Sequence, residues 1–142
     1  MTQSTGYAIT ALGHIAAMGD RPLLIRDISA ATGLPHPYLA KIVHALARRG
    51  LVATRRGVGG GVALARPAAA ITLFDVAEAM DDPLLAERCM LGAAVCSDER
   101  ACPTHSFWGS HRRAQIEFLR ERTLADVAEF ERRQGAAAAA AD

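Results

Sequence analysis

The sequence predicts a mainly α-helical fold with one small β-hairpin, on three observations. Apolar residues recur at helical spacing along most of the chain, two helical runs are separated by a short glycine-containing turn, and four glycines divide two short β-prone stretches between positions 51 and 65. At 142 residues, 51% hydrophobic and 22% charged, the chain has the size and composition of one globular domain with an appendage. No uncharged apolar run approaches the roughly 18 residues that cross a membrane. The start, Met1 to Gly6, lacks the basic region of an export signal, so the expected location is the cytoplasm.

The first helix is read from Tyr7 to Met18, where Ala8, Ile9, Ala11, Leu12, Ile15 and Ala16 form a periodic face and Gly19-Asp20 ends it. A short second helix follows from Ile25 to Thr32, with Ile28 and Ala31 inward and Gly33 as the residue beyond its C-terminus. Pro35-His36-Pro37 opens a third, because proline fits a helical first turn. Its buried stripe is Tyr38, Leu39, Ile42, Val43 and Leu46, which leaves His36, Ala40, Lys41, His44 and Arg48 outward. Helix, glycine-containing turn, helix is the helix-turn-helix signature. Leu51 to Thr54 and Val62 to Ala65 then read as strands joined by Arg55 to Gly61, a wing beside the helix pair. Thr72-Leu73-Phe74-Asp75 resembles a capping box and opens a fourth helix to about Met80. The predicted fold is a winged helix-turn-helix over 1–80, an irregular cysteine-containing loop over 81–103, one long helix over 104–134 and an alanine-rich tail over 135–142. The long helix carries a seam of Ile116, Leu119, Thr123, Val127 and Phe130 and would span about 45 Å. It is expected to pack on a second copy, a helix folded back on its own domain being the alternative.

A formal net charge of +1 conceals a division. Residues 1–80 hold eight Lys or Arg against four acids, a net of +4, and residues 81–142 hold eight against eleven, a net of −3. All eight bases of the first part lie between Arg21 and Arg66, where the sole acid is Asp27. A concentrated cation on a helix-turn-helix fits a polyanion such as double-stranded DNA. The candidate contacts are His36, Tyr38, Lys41 and His44 in the third helix, with Arg55, Arg56 and the amides of Gly59 and Gly60 in the wing. A nucleotide-binding loop is disfavoured, because no Gly-Lys-Ser/Thr and no strand-to-helix context follow the glycines.

All three cysteines fall within 14 residues, spaced C-x6-C-x5-C at Cys89, Cys96 and Cys102, and His105 follows the last by three. Three thiolates and one imidazole are four soft ligands. A structural zinc site of Cys3His type is one reading, yet zinc motifs use tighter cysteine pairs. Wider spacing on a flexible segment suits an iron-sulfur cluster. Inert buried thiols and a catalytic Cys-His pair complete the alternatives, and no orienting carboxylate stands out in the sequence to make an enzyme of the pair.

Several motifs, taken in order, carry a family resemblance. They are Tyr7-Ala8, Asp27-Ile28-Ser29, Gly33-Leu34-Pro35 with Tyr38-Leu39, Gly50-Leu51-Val52, Arg56-Gly57 with Gly59-Gly60-Gly61, Leu64-Ala65-Arg66-Pro67, and Ile71-Thr72-Leu73. Together they resemble the Rrf-two family of bacterial winged-helix regulators, which includes the IscR, NsrR and RirA types, over about residues 5–130. Cys102-Pro103-Thr104-His105-Ser106-Phe107-Trp108 is similar to the Cys-x-Thr-His-x-x-Trp stretch of the IscR type. The chain departs from the family in four places: a first cysteine gap of six where five is usual, Gly6 where some members carry an acidic ligand, Ala40 where Glu is common and Val62 where Tyr is common.

The resemblance implies a homodimeric transcription regulator on a two-fold DNA operator, by default a repressor, with His105 as fourth ligand and a 2Fe-2S cluster favoured over 4Fe-4S. Glu87, Asp98, Glu99 and His111 stay open as alternative ligands. In that reading a change at the cluster frees the loop and shifts the two reading heads. A cluster-free or zinc-bound thiol sensor of the same fold is the runner-up. A small iron-sulfur carrier or a structural DNA-binding module is the alternative from another class.

Overall fold

In the computed structural model, which describes residues 1–141 except 20, 93 and 101, the helix around which the others assemble is α1 (Gln3–Ala17). It begins four residues earlier than its apolar pattern indicates, because Thr2 caps it by accepting from the Thr5 N–H. Thr5, Ala8, Ala11, Leu12, Gly13 and Ile15 are buried, so α1 is covered on more than one side. Gly19 follows it with a positive φ, and Asp20, read with it as the stop, lies outside the described residues.

The helix-turn-helix is α2 (Ile25–Thr32) and α3 (His36–Arg48). Gly33 ends α2 at φ +72, a left-handed conformation cheap only for glycine, and its N–H donates to Ser29 O at 2.9 Å. Leu39, Ile42, Val43 and Leu46 of α3 join Leu12, Ile15 and Ile28 in the core. The wing is β1 (Val52–Arg55) paired antiparallel with β2 (Gly61–Leu64), with Val52 opposite Leu64 and Arg55 opposite Gly61. Leu23 bonds across to Val62 in both directions, at 2.9 and 2.7 Å, and anchors the hairpin to the segment before α2. That anchor demands glycine at 61, where a Cβ would sit 2.5 Å from Leu23 O.

After a short 3-10 turn at Ala68–Ala70 comes α4 (Leu73–Ala79), opened by a capping box in which Thr72 and Asp75 exchange bonds at 2.8 and 3.1 Å. Among its described residues the segment from 81 to 104 contains two more such turns, Pro83–Leu85 and Asp98–Arg100, and a bridge between Arg88 and Val95. At its root Asp82 is buried. Its carboxylate accepts from the Thr2 N–H at 2.8 Å, the Thr5 hydroxyl at 2.5 Å and the Leu84 N–H at 2.9 Å. Burial pushes this carboxyl up, but the bonds from Thr5, Thr2 and Leu84 outweigh it and hold it below its ordinary value.

The expected single helix over 104–134 is two helices, α5 (His105–Glu121) and α6 (Leu124–Ala141). The break has a local cause. Thr123 and Asp126 form a second reciprocal pair: Thr123 N–H donates to the Asp126 carboxylate at 2.8 Å, and Asp126 N–H to the Thr123 hydroxyl at 3.4 Å. Arg122 is extended, its carbonyl takes the Leu73 N–H at 2.8 Å, and Leu124 N–H donates to Ile71 O at 2.9 Å. Chain reversal there lays α6 along α1, with Leu124 and Ala128 buried, so the folded-back alternative holds for this half. Residues 135–141 of the expected tail continue α6, while Asp142 lies outside the described residues. The α5 helix touches the domain mainly through α4 and leaves Phe107 and Phe118 exposed at 66% and 51%.

The α1 and α6 helices meet closely at Gly13, where an added methyl would overlap Val127 Cγ1. Gly13→Ala is therefore expected to lower the unfolding free energy by about 1–3 kcal/mol, the range for overpacking. In a Val127→Ala background the same change should cost little. Urea unfolding of the three variants beside the wild type checks this, and an unchanged midpoint for Gly13→Ala alone would contradict the packing.

Candidate nucleic-acid interface and cysteine centre

The outer face of α3 presents His36, Lys41 and His44, all exposed, and the wing presents Arg55, Arg56 and Gly59. One open cavity of about 360 Å³ joins the two elements, with His36 of α3, Arg55 and Gly60 of the wing, and Arg26 at the start of α2 among its lining residues. Lys41 and His44 lie further along α3 and do not line it. Gly60 is required by space, since a Cβ there would lie 2.5 Å from Arg55 O in the tightly folded wing tip. Tyr38, expected both in the buried stripe of α3 and among the DNA contacts, is exposed and not part of the core. Its hydroxyl pairs with Ser4 Oγ at 2.5 Å and its ring meets Tyr7 edge-on at 5.6 Å, so it braces α3 against the first turn of α1. Arg26 and this brace are absent from the sequence-derived set, because α2 and α1 reach the face only through tertiary packing.

The cysteine segment is held from α5. Trp108 Nε1 donates to Arg88 O at 2.9 Å and Arg112 donates to Leu85 O at 3.0 Å, which fixes the strand of chain entering Cys89. The Arg88–Val95 bridge closes the stretch between Cys89 and Cys96, with Cys89 N–H donating to Ala94 O and Cys96 N–H to Glu87 O. The four predicted ligands meet as two pairs: Cys89 Sγ lies 3.8 Å from Cys102 Sγ, and Cys96 Sγ lies 3.0 Å from His105 Nδ1. Among the described residues no three acidic, thiol or imidazole groups gather tightly enough to hold a single metal ion. Thr104, part of the Cys-x-Thr-His stretch but given no role by it, hydrogen-bonds Cys102 through its hydroxyl, at 3.3 Å, and through its backbone, and these bonds hold the Cys102 thiol below its ordinary value. Of the alternative ligands, Asp98 contacts the far nitrogen of His105, and His111 stacks on Phe107 and Trp108. The donor chemistry, three thiols and an imidazole on one segment, fits a soft metal centre.

Fold and face together define a winged helix-turn-helix protein of the DNA-binding class. The family model of Rrf2, described as an iron-dependent transcriptional regulator, matches residues 1–129. The chain belongs to this family, the Rrf-two regulators that its motifs resemble. It is 35% identical over 128 residues to the HTH-type transcriptional regulator IscR of Yersinia pseudotuberculosis serotype O:1b, covering 89% of this chain and 77% of that one. Among solved structures, T. potens IscR aligns with a TM-score of 0.72 at 26% identity, covering 92% of this chain and 87% of that one. CymR (YrzC), the global cysteine regulator of B. subtilis, aligns at 0.76 and 27%, covering 92% and 96%. These relatives are transcriptional regulators and not enzymes. No helix among the described residues is long and apolar enough to cross a membrane.

Thr104→Val removes the hydroxyl donor from Cys102 and keeps the backbone one. The Cys102 thiol of metal-free protein should then ionise at higher pH, and peptide-resolved alkylation against pH reads the midpoint. A midpoint that stays in place would contradict the Thr104 assignment.

Proposed function

We propose that the chain is a homodimeric DNA-binding repressor whose affinity is set by an iron-sulfur cluster, of 2Fe-2S type, held by Cys89, Cys96, Cys102 and His105. The observation that carries this is the pairing of Cys89 with Cys102 and of Cys96 with His105 on a segment pinned to α5. The similarity to IscR proteins supports it. When bound, such a cluster supplies one-electron chemistry and sensitivity to iron supply, oxidant or nitric oxide. The chain's own residues do the rest: Trp108 and Arg112 hold the segment, and Thr104 stabilises the Cys102 thiolate.

On the DNA side, His36, Lys41 and His44 enter the major groove, Tyr38 sets the tilt of α3, and Arg55, Arg56 and the amides of Gly59 and Gly60 take the backbone. The exposed Phe107 and Phe118 of α5 form the pairing surface for a second copy. Two-fold symmetry then sets two reading heads about 34 Å apart on one face of the duplex. The 3.8 Å separation of Cys89 and Cys102 favours a second reading, a zinc-bound or cluster-free thiol sensor on the same fold.

Anaerobically isolated protein is expected to be coloured, with two iron and two sulfide per chain, about as the 2Fe-2S assignment requires. Colourless protein without sulfide would overturn the cluster, and one zinc per chain would establish the second reading. For the wing, Arg55→Ala with Arg56→Ala should flatten the dependence of log affinity on log salt by about 0.9 for each phosphate no longer neutralised, measured on duplex DNA. An unchanged slope would remove both arginines from the interface.

A further inference from the structure

The imidazole of His105 has a different neighbour on each nitrogen. Nδ1 lies 3.0 Å from Cys96 Sγ, and Nε2 lies 2.7 Å from Asp98 Oδ1. An ionised carboxylate only accepts hydrogen bonds, so the Asp98 contact places a proton on Nε2. In the neutral ring the lone pair is then on Nδ1, facing the thiol side. Asp98 opens the short turn Asp98–Arg100, two residues beyond Cys96 and seven before His105, so chain geometry brings it to the back of the ring.

We infer that Asp98 is a positioning residue of the metal centre: it holds His105 in the tautomer and rotation that present Nδ1 beside Cys96, and it is not itself a ligand. This rests on the proposed reading that His105 completes the donor set. A carboxylate behind a ligating imidazole fixes the ring and raises its basicity, and loss of such a partner weakens metal binding by about 10–100-fold. Asp98 is 98% exposed, against 26% for the His105 side chain. Water screens so exposed a contact, which places the expected effect at the lower end of that range. Glu99, its neighbour in the same turn, makes no hydrogen bond or ion pair with His105 among the described residues.

The test uses cobalt(II) alone, titrated anaerobically into the metal-free, reduced 142-residue chain and followed by thiolate-to-cobalt absorption. Asp98→Ala should weaken cobalt binding about tenfold. Asp98→Asn, which keeps an oxygen able to accept the Nε2 proton, should recover most of the loss, and Glu99→Ala should leave the affinity unchanged. In a His105→Ala background, itself weaker, Asp98→Ala should have no further effect, which a merely structural role would not produce. Equal affinity of Asp98→Ala and the wild type, or a loss that persists without His105, overturns the inference and leaves the donor set standing. Absence of thiolate-to-cobalt absorption in the wild type overturns the donor set and the inference with it.

Discussion

The buried carboxylate of Asp82 joins the start of the chain to the root of the cysteine segment. Taking an acid out of water is costly unless protein donors replace the lost hydration, and here the Thr5 hydroxyl and the N–H groups of Thr2 and Leu84 do so. Those donors belong to the start of α1 and to the turn that leads into the cysteine segment. Because the native carboxyl titrates below its ordinary value, the stabilisation is complete above the usual carboxylate range and is lost as pH falls through the lowered native value. Thr2 and Thr5 flank Ser4, whose hydroxyl holds Tyr38 of α3. One turn of helix thus touches both the root of the cysteine segment and the second helix of the helix-turn-helix.

The same economy of contacts explains the arrangement of charge. The +4 half is a head whose exposed cations include those on α3, at the start of α2 and on the wing, while the −3 half supplies the cysteine segment, α5 and α6. Small residues on α1, above all Gly13, let α6 lie close against it, so the second half returns to the core of the first. The α5 helix exposes Phe107 and Phe118, as α6 exposes Phe130, and α5 is also the helix that pins the cysteine segment through Trp108 and Arg112. Anything that reorders that segment acts on the same helix that would meet a second copy.

Much of the head is legible in the sequence because its signals are local. Gly33 ends α2 and Pro35 with Pro37 starts α3, so no distant contact is needed to place that turn. The Thr72–Asp75 cap is legible for the same reason. The identical Thr-x-x-Asp arrangement at Thr123 and Asp126 is obscured by an apolar periodicity that continues across it from Ile116 to Phe130. The deciding bonds there, from Leu73 and to Ile71, come from the far side of the cysteine segment. In the site, the ligand types and their spacing are visible in the sequence, but their pairing is not. The place of Asp98 on His105 Nε2, of Thr104 on Cys102 and of Tyr38 on Ser4 depends on side-chain directions that no spacing encodes.

If occupancy of the cysteine segment sets DNA affinity, one preparation of the protein should show it. Fluorescence anisotropy on a duplex selected from a random pool, before and after anaerobic removal of the cluster by chelation, reads the effect. The affinity is expected to change by at least about tenfold, or about 1.4 kcal/mol, a typical allosteric coupling. Cys102→Ala should behave as the cluster-free form throughout. Equal affinity in the two states, with the cluster shown to be present and then absent, would contradict the coupling.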